Sequence, residues 1–141
     1  MITRRGVAGL TLIELMVAVA ISVIIASVAY PSFKDQISKG RRAEGQAVLT
    51  EAGQWMERFS TENLRYDQSR AGVAVALPSY LLQAPKEGTS KFYTISLQSV
   101  AQDTYTLKAV PTGVFSSDAC GTLTVNNLGT KTAARSDCWK R

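Results

Sequence analysis

Apolar residues are concentrated in one continuous segment near the start of the chain. Eighteen of the 24 residues from Leu10 to Phe33 are apolar, and Glu14 is the sole ionisable residue among them. At 1.5 Å per helical residue, such a segment reaches about 36 Å, which is enough to cross a hydrocarbon core of about 30 Å. The pattern therefore predicts a membrane-spanning helix followed by a soluble domain.

Beyond Phe33, apolar residues recur at helical spacing as far as Asn63, and no proline interrupts this stretch. The pattern predicts that an amphipathic helix continues the apolar one, with its apolar face packed in a core rather than forming a ligand site. Three glycines within it each cost up to about 1 kcal/mol, so we expect the helix to be bent or locally loose. The predicted apolar face consists of Val48, Leu49, Ala52, Trp55, Met56 and Phe59.

The remaining residues predict a loop followed by strands. The segment from Leu64 to Lys91 contains two glycines and two prolines, which indicates a long connecting loop with limited structure. Alternating apolar and polar residues predict strands at 92–97, 104–110 and 122–126, and a turn at Asn126–Gly129 predicts a short strand after it. We therefore expect an α+β fold in which three or four antiparallel strands pack on the helix.

Composition excludes several kinds of active site. The chain has no histidine, 16 lysines and arginines, 11 acidic residues and two cysteines. Without histidine there is neither a histidine-based catalytic triad nor an imidazole metal ligand, and two cysteines do not form a zinc site without carboxylates nearby. No glycine-rich phosphate-binding loop is present. The sequence therefore predicts neither an enzyme nor a bound metal or cofactor.

Glu14 bears on the alternative explanations of the apolar segment. A cleaved secretory signal ending at Ser27-Val28-Ala29, a simple single-span anchor and a buried soluble helix would each account for the composition. The segment is longer than the apolar core of a secretory signal, which is usually about 7–15 residues. A carboxylate within lipid is costly, so by default it indicates a functional residue with a specific partner.

Glu14 lies in the run Gly9-Leu10-Thr11-Leu12-Ile13-Glu14-Leu15-Met16, which resembles the processing site of type IV pilins. The resemblance implies cleavage between Gly9 and Leu10 by a prepilin peptidase, N-methylation of Leu10, an assembly role for Glu14, and a helix kink at Pro31. Cleavage would create an amine four residues before Glu14, and pairing this amine with Glu14 of a neighbouring subunit would remove two buried charges together.

The resemblance also implies a domain organisation and a location. Residues 1–9 would be a cleaved leader, residues 10–33 a transmembrane and filament-core helix, and residues 34–141 an exported globular domain with the type IV pilin fold. The subunit would lie in the inner membrane, with a cytoplasmic N-terminus and a periplasmic domain, before it enters the pilus. Its expected partners are major and minor pilins, the prepilin peptidase and the inner-membrane assembly platform.

Cys120 and Cys138 enclose the last predicted hairpin. In an exported domain we expect them to form a disulfide that stabilises the domain by roughly 3 kcal/mol. The alternative is a pair of unpaired thiols in a cytosolic domain.

The C-terminal pattern is similar to that of PilE-type minor pilins and of related DNA receptors. It consists of the segment Cys120–Asn126, followed by Cys138 and Trp139. The similarity favours a minor pilin that helps to initiate pilus assembly or is incorporated into pili, which serve twitching motility and adhesion.

Two alternative functions stay open at this point. One is a DNA-uptake receptor that binds DNA through its basic C-terminal residues Lys131, Arg135 and Lys140. A solvated cationic surface explains the same charges, so DNA is a partner that the sequence allows without favouring. The other alternative is a type II secretion pseudopilin.

Overall fold

One long helix begins the described part of the chain. The computed structural model describes residues 11–139, within which helix α1 runs from Leu12 to Asn63. The predicted cleavage site at Gly9 and Leu10 lies outside the described residues, as does Lys140. The chain divides into two units, Met1–Ile37 and Ser38–Arg141.

The described part of the first unit is the apolar portion of α1. An 18-residue window of this helix has a mean hydropathy of 2.6, and none of the window is buried within the protein. Length and composition therefore allow it to cross a membrane. Pro31 lies inside the helix, and the kink expected there stays a prediction.

In the second unit, α1 buries one narrow stripe of residues. The stripe follows the spacing of three and four residues that places side chains on one helical face. It differs from the sequence prediction at its end, because Met56 is fully buried whereas Trp55 and Phe59 are half-buried and stack on each other with ring centroids 5.4 Å apart. The buried residues are Gly45, Val48, Leu49, Ala52 and Met56.

The sheet is antiparallel and its five strands follow chain order. The strands are β1 (Gln83–Ala84), β2 (Tyr93–Val100), β3 (Tyr105–Pro111), β4 (Leu123–Asn126) and β5 (Lys131–Thr132). Three or four were predicted, and the additional strand is β1, which lies in the segment expected to be a loop and pairs with the start of β2. Two residues are too few to show an alternating pattern, so β1 is defined by its partner strand.

The predicted alternation along the central strands is confirmed. Tyr93 and Ile95 of β2 are buried, as are alternate residues of β3 and the first residue of β4. Their side chains join those of the α1 stripe in a single core. The opposite face of β3 carries Thr106 and Lys108, which are only half-buried. The sheet is therefore apolar on the face that contributes to the core and polar on the other.

Gly45 is the point of closest approach between α1 and the sheet. A Cβ atom placed on Gly45 would lie 2.6 Å from Cδ2 of Tyr93 and 2.9 Å from its Cε2. The ring of Tyr93 is itself fully buried, and it packs edge-on against Phe115. Neither ring can move away without disturbing the core. This close packing explains why glycine occupies the position, although glycine makes a helix interior less stable than alanine does.

A buried tyrosine connects the end of α1 to the sheet and the following loop. The Tyr105 hydroxyl donates to Glu57 Oε1 at 2.9 Å, and the Tyr66 hydroxyl donates to Glu57 Oε2 at 2.8 Å. Burial raises the pKa of the Tyr105 phenol well above its usual value, and the hydrogen bond to Glu57 raises this pKa further. Both phenols therefore remain neutral donors at physiological pH, and they hold the helix, β3 and the loop together.

The C-terminal segment is joined to the rest of the unit by a covalent bond and an ion pair. Cys120 and Cys138 form a disulfide, and both residues are buried. Next to it, Arg42 donates to both carboxylate oxygens of Asp118, and the Asp118 side chain is only 3% exposed. Asp118 also accepts the Cys120 backbone N–H at 3.2 Å. A bidentate pair of this kind fixes the relative orientation of the two side chains in addition to attracting them.

Replacing Gly45 with alanine is predicted to destabilise the second unit. The added Cβ would overlap the Tyr93 ring, and overpacking of this kind costs about 1–3 kcal/mol. Chemical unfolding of the full chain in detergent, followed by circular dichroism, measures the effect. Gly40→Ala is the matched control, because a Cβ there meets nothing within 4 Å. The control should be neutral or stabilised by up to about 1 kcal/mol, and equal behaviour of the two variants would contradict the packing argument.

Reduction of the disulfide is predicted to lower the free energy of unfolding by about 3 kcal/mol, because the unfolded chain gains the entropy of an open loop. The melting temperature of the full chain, measured with and without reductant, tests this expectation. A Cys120→Ser, Cys138→Ser double variant serves as the control. It should melt at the lower temperature and be insensitive to reductant. An unchanged melting temperature of the reduced native chain would count against the prediction.

Candidate functional site

The first candidate site is the start of α1, where Glu14 closes a capping box with Thr11. The Glu14 Oε2 atom accepts from the Thr11 backbone N–H at 2.9 Å and from the Thr11 hydroxyl at 2.7 Å. In return, Thr11 Oγ1 accepts from the Glu14 backbone N–H at 3.3 Å. These bonds satisfy backbone donors that have no partner within the helix. Glu14 therefore has local partners within its own chain.

The sequence prediction for Glu14 did not include this capping role. The signal was present, because Thr11-Leu12-Ile13-Glu14 has the spacing of a capping box directly before an apolar run. The two roles are compatible. Hydrogen bonds from Thr11 stabilise the carboxylate but carry no positive charge, so they do not replace an ionic partner.

Glu14 lies on an otherwise apolar face of the first unit. It shares a shallow surface groove with Ile13, Val17, Ala18 and Ile21. Large apolar side chains along this part of α1 are exposed, with fractions between 49% for Val17 and 78% for Leu12 in the stretch from Leu12 to Phe33. Such a surface is stable only in contact with lipid or with other apolar helices.

Two serines within the apolar helix donate to backbone carbonyls of the preceding turn. Ser22 Oγ donates to the Ala18 carbonyl at 2.8 Å, and Ser27 Oγ donates to the Ile24 carbonyl at 2.7 Å. Near the end of the apolar stretch, the Lys34 ammonium lies 4.6 Å from the centroid of the Tyr30 ring. An aromatic residue followed by a basic one is typical of the border between lipid and water.

The second candidate site is formed by the basic residues near the C-terminus. Lys131 Nζ lies 5.2 Å from the centroid of the Trp139 ring, while the indole Nε1–H donates to the Thr132 carbonyl at 2.8 Å. Arg135 instead forms a bidentate pair with Asp137, which lowers the pKa of the Asp137 carboxyl below its usual value. The structure thus brings Lys131 and Trp139 together, and Arg135 has an acidic partner of its own.

Lys131 and Trp139 line a groove that also includes one face of α1. Its volume is about 380 Å³. One wall comes from β5 and the C-terminal segment, and the other comes from helical residues that point away from the core. The helical wall consists of Ala43, Gln46, Ala47, Thr50, Glu51 and Gln54. No local sequence pattern predicts this groove, because even its nearest helical and C-terminal lining residues, Gln54 and Lys131, are 77 positions apart in the chain.

Hydrogen bonds and the disulfide hold the two walls of the groove in place. Gln46 Nε2 donates to the Cys138 carbonyl at 2.7 Å, which joins α1 to the residue that precedes Trp139. Cys138 is in turn bonded to Cys120. At the helical wall, Glu51 forms an ion pair with Lys86. Over residues 11–139, no cluster of three or more side chains has the composition of a metal site.

Comparison with known protein families gives two matches that together cover most of the chain. The family model of the type IV minor pilin ComP, described as the DNA uptake sequence receptor, matches residues 31–124. The model of the prokaryotic N-terminal methylation motif matches residues 4–30. No curated protein matches the chain significantly.

Two solved structures of type IV pilins resemble this chain, and the first of them shows the same fold. A type IV pilin from Shewanella oneidensis is 29% identical, with a TM-score of 0.51, over 74% of this chain and 99% of that chain. The non-core minor pilin PilV of Neisseria meningitidis is 23% identical, with a TM-score of 0.49, over 70% of this chain and 87% of that one.

These findings agree with the fold described above, in which one long N-terminal helix packs on an antiparallel sheet. They also favour a pilus subunit over the secretion pseudopilin that the sequence left open, because the matched family is one of minor pilins. The chain therefore belongs to the type IV pilins and, among them, to the family of the minor pilin ComP.

Proposed function

We propose that this minor pilin enters a type IV pilus, or the complex that primes it, through the apolar part of α1 after cleavage between Gly9 and Leu10. The observation that carries the proposal is the exposure of this helix on all sides, with no part of an 18-residue apolar window buried. Lipid satisfies such a surface before assembly, and neighbouring pilin helices satisfy it afterwards. The match of residues 4–30 to a methylation motif supports processing at this site.

Glu14 then acts as an electrostatic partner in assembly. Cleavage would leave a cationic amine on Leu10, four residues before Glu14 in the sequence, and Glu14 lies in the first turn of α1. The Thr11 donors leave the carboxylate with its full negative charge. In an apolar filament core, an unpaired charge costs several kcal/mol, so the amine of a neighbouring subunit is the favourable partner.

The same proposal assigns the location and the partners of the subunit. The prepilin peptidase would act on it at the cytoplasmic side of the inner membrane, and the assembly platform would move it into the filament. The second unit would lie in the periplasm, with Tyr30 and Lys34 of the first unit near the membrane border. Major and minor pilins are its neighbours in the filament, where it would contribute to twitching motility and adhesion.

A second candidate function is DNA binding through the C-terminal region. Two observations support it: the matched family model is that of a DNA uptake sequence receptor, and Lys131 is held beside the Trp139 ring. A cation next to an aromatic ring provides both phosphate attraction and a surface for base contact. Arg135, which is paired with Asp137, and Lys140 are the other cations that this function would use.

Variants of Glu14 separate its charge from its capping role. Glu14→Val and Glu14→Gln are both predicted to reduce incorporation into purified pili at least tenfold, although glutamine retains the capping geometry. Thr11→Ala is the matched control, because it removes the cap and keeps the carboxylate, and it should incorporate at a level near wild type. Quantitative mass spectrometry of sheared pili measures all three, together with the mature N-terminus. Wild-type incorporation of Glu14→Gln would contradict the charge-pairing role.

DNA binding is predicted to depend on salt and on the C-terminal cations. Replacing Lys131 and Arg135 with glutamine should reduce the slope of log affinity against log salt by roughly 0.9 for each lost phosphate contact, and Lys140→Gln should reduce it further. Arg58→Gln with Arg70→Gln removes the same charge from two other exposed positions and serves as the control. Equal losses in the two double variants would indicate an effect of net charge alone, with no DNA site at the C-terminus.

A further inference from the structure

We propose that the groove between α1 and the C-terminal segment binds one unpaired nucleotide of a DNA strand, with the base against Trp139 and a phosphate at Lys131. This inference rests on the proposed DNA-binding function and assigns it a site and a form of substrate. It distinguishes a single strand from a duplex, which the basic charge of the region does not do by itself.

The groove is large enough to hold one nucleotide. A volume of about 380 Å³ lies in the range of small-ligand sites, roughly 300–1,000 Å³. A double helix stacks its bases inside and presents phosphates and groove edges over a much wider surface. Only an unpaired or extruded base offers a flat face that can enter a groove of this size.

Trp139 is held in place for such a contact. Its Nε1–H is already bonded to the Thr132 carbonyl, which fixes the orientation of the ring, and the disulfide anchors the preceding residue. Because the ring is ordered before a ligand arrives, little conformational entropy is lost on stacking. Stacking on one aromatic side chain typically changes the affinity for a single strand about tenfold.

Charges along the groove set the orientation of the nucleotide. Lys131 lies at the Trp139 end, where it can contact a phosphate without leaving the indole. The helical wall has no basic side chain among its lining residues, and its Glu51 carboxylate is paired with Lys86. The phosphate therefore lies towards Lys131, and the base lies between the indole and α1.

The polar side chains of the helical wall differ in their freedom to bind a base edge. Gln46 is held by the Cys138 carbonyl, and the Thr50 hydroxyl donates to the Gln46 carbonyl at 2.8 Å. Gln54 is exposed, and no side-chain hydrogen bond joins it to other residues in the described part of the chain. Its amide has both a free donor and a free acceptor, so it can form two hydrogen bonds with a base edge without breaking a contact.

Tryptophan fluorescence tests the proposal directly, because Trp55 and Trp139 are the two tryptophans of the chain. The Trp55→Phe variant of the full chain, in detergent, leaves Trp139 as the sole reporter. Titration with oligodeoxythymidylate is expected to quench its emission, and the same strand annealed to oligodeoxyadenylate is expected to bind several-fold more weakly. Trp139→Phe, with Trp55 retained, should show little quenching.

Two further variants measure the contribution of the groove to affinity. Trp139→Leu is expected to weaken single-strand binding about tenfold and duplex binding far less. Gln54→Ala replaces an exposed residue outside the core, so it should lower single-strand affinity without changing the melting temperature. This second variant keeps the test decisive if Trp139→Leu fails to fold.

The outcomes separate this inference from the DNA-binding function on which it rests. If single strand and duplex bind equally and Gln54→Ala changes neither, while loss of Lys131 and Arg135 weakens both, the groove proposal is overturned and DNA binding stands. If the wild-type chain binds neither form of DNA, both proposals are overturned. Trp139 quenching by the single strand together with a selective loss in Gln54→Ala supports the nucleotide site.

Discussion

The packing of one narrow stripe of α1 against the sheet is the interaction on which the rest of the second unit depends. The residues that α1 buries in the core are Gly45, Val48, Leu49, Ala52 and Met56, and the sheet presents a similarly narrow set of aromatic and aliphatic side chains. Because Gly45 has no side chain, the Tyr93 ring can lie directly on the helix backbone. This close approach determines how the helix can lie on β2, and therefore where the outer face of α1 meets the C-terminal segment.

The C-terminal segment depends on that packing, since two of its attachments start from the same part of α1. Arg42 binds Asp118, Gln46 binds the Cys138 carbonyl, and the disulfide joins the two ends of the last hairpin. Together these contacts hold a chain end that has little apolar surface of its own. The groove is a consequence of this arrangement, because the same contacts bring Lys131 and Trp139 beside helical residues that have no part in the core.

The two ends of the protein use charge in different surroundings. Glu14 is one carboxylate on an apolar helix, so in lipid its energy is determined by the partner it finds. The cations near the C-terminus are surrounded by water, where charge acts mainly through steering and through contacts with polyanions. The proposed assembly role of Glu14 and the proposed DNA-binding role of the C-terminal cations therefore depend on different physical effects.

Much of the fold and part of the function were determined by the sequence alone. The apolar segment, its continuation to Asn63, the alternation along β2 and β3 and the cysteine pair are local or compositional patterns, and each is present in the structure. The capping box at Thr11 and Glu14 was equally local and could have been predicted. Only the tertiary structure decided that Met56 rather than Phe59 ends the buried stripe, that Gln83–Ala84 forms a strand, and that Lys131 lies by Trp139. These features depend on contacts between distant residues, and the spacing of residue types along a chain does not specify which of them will meet.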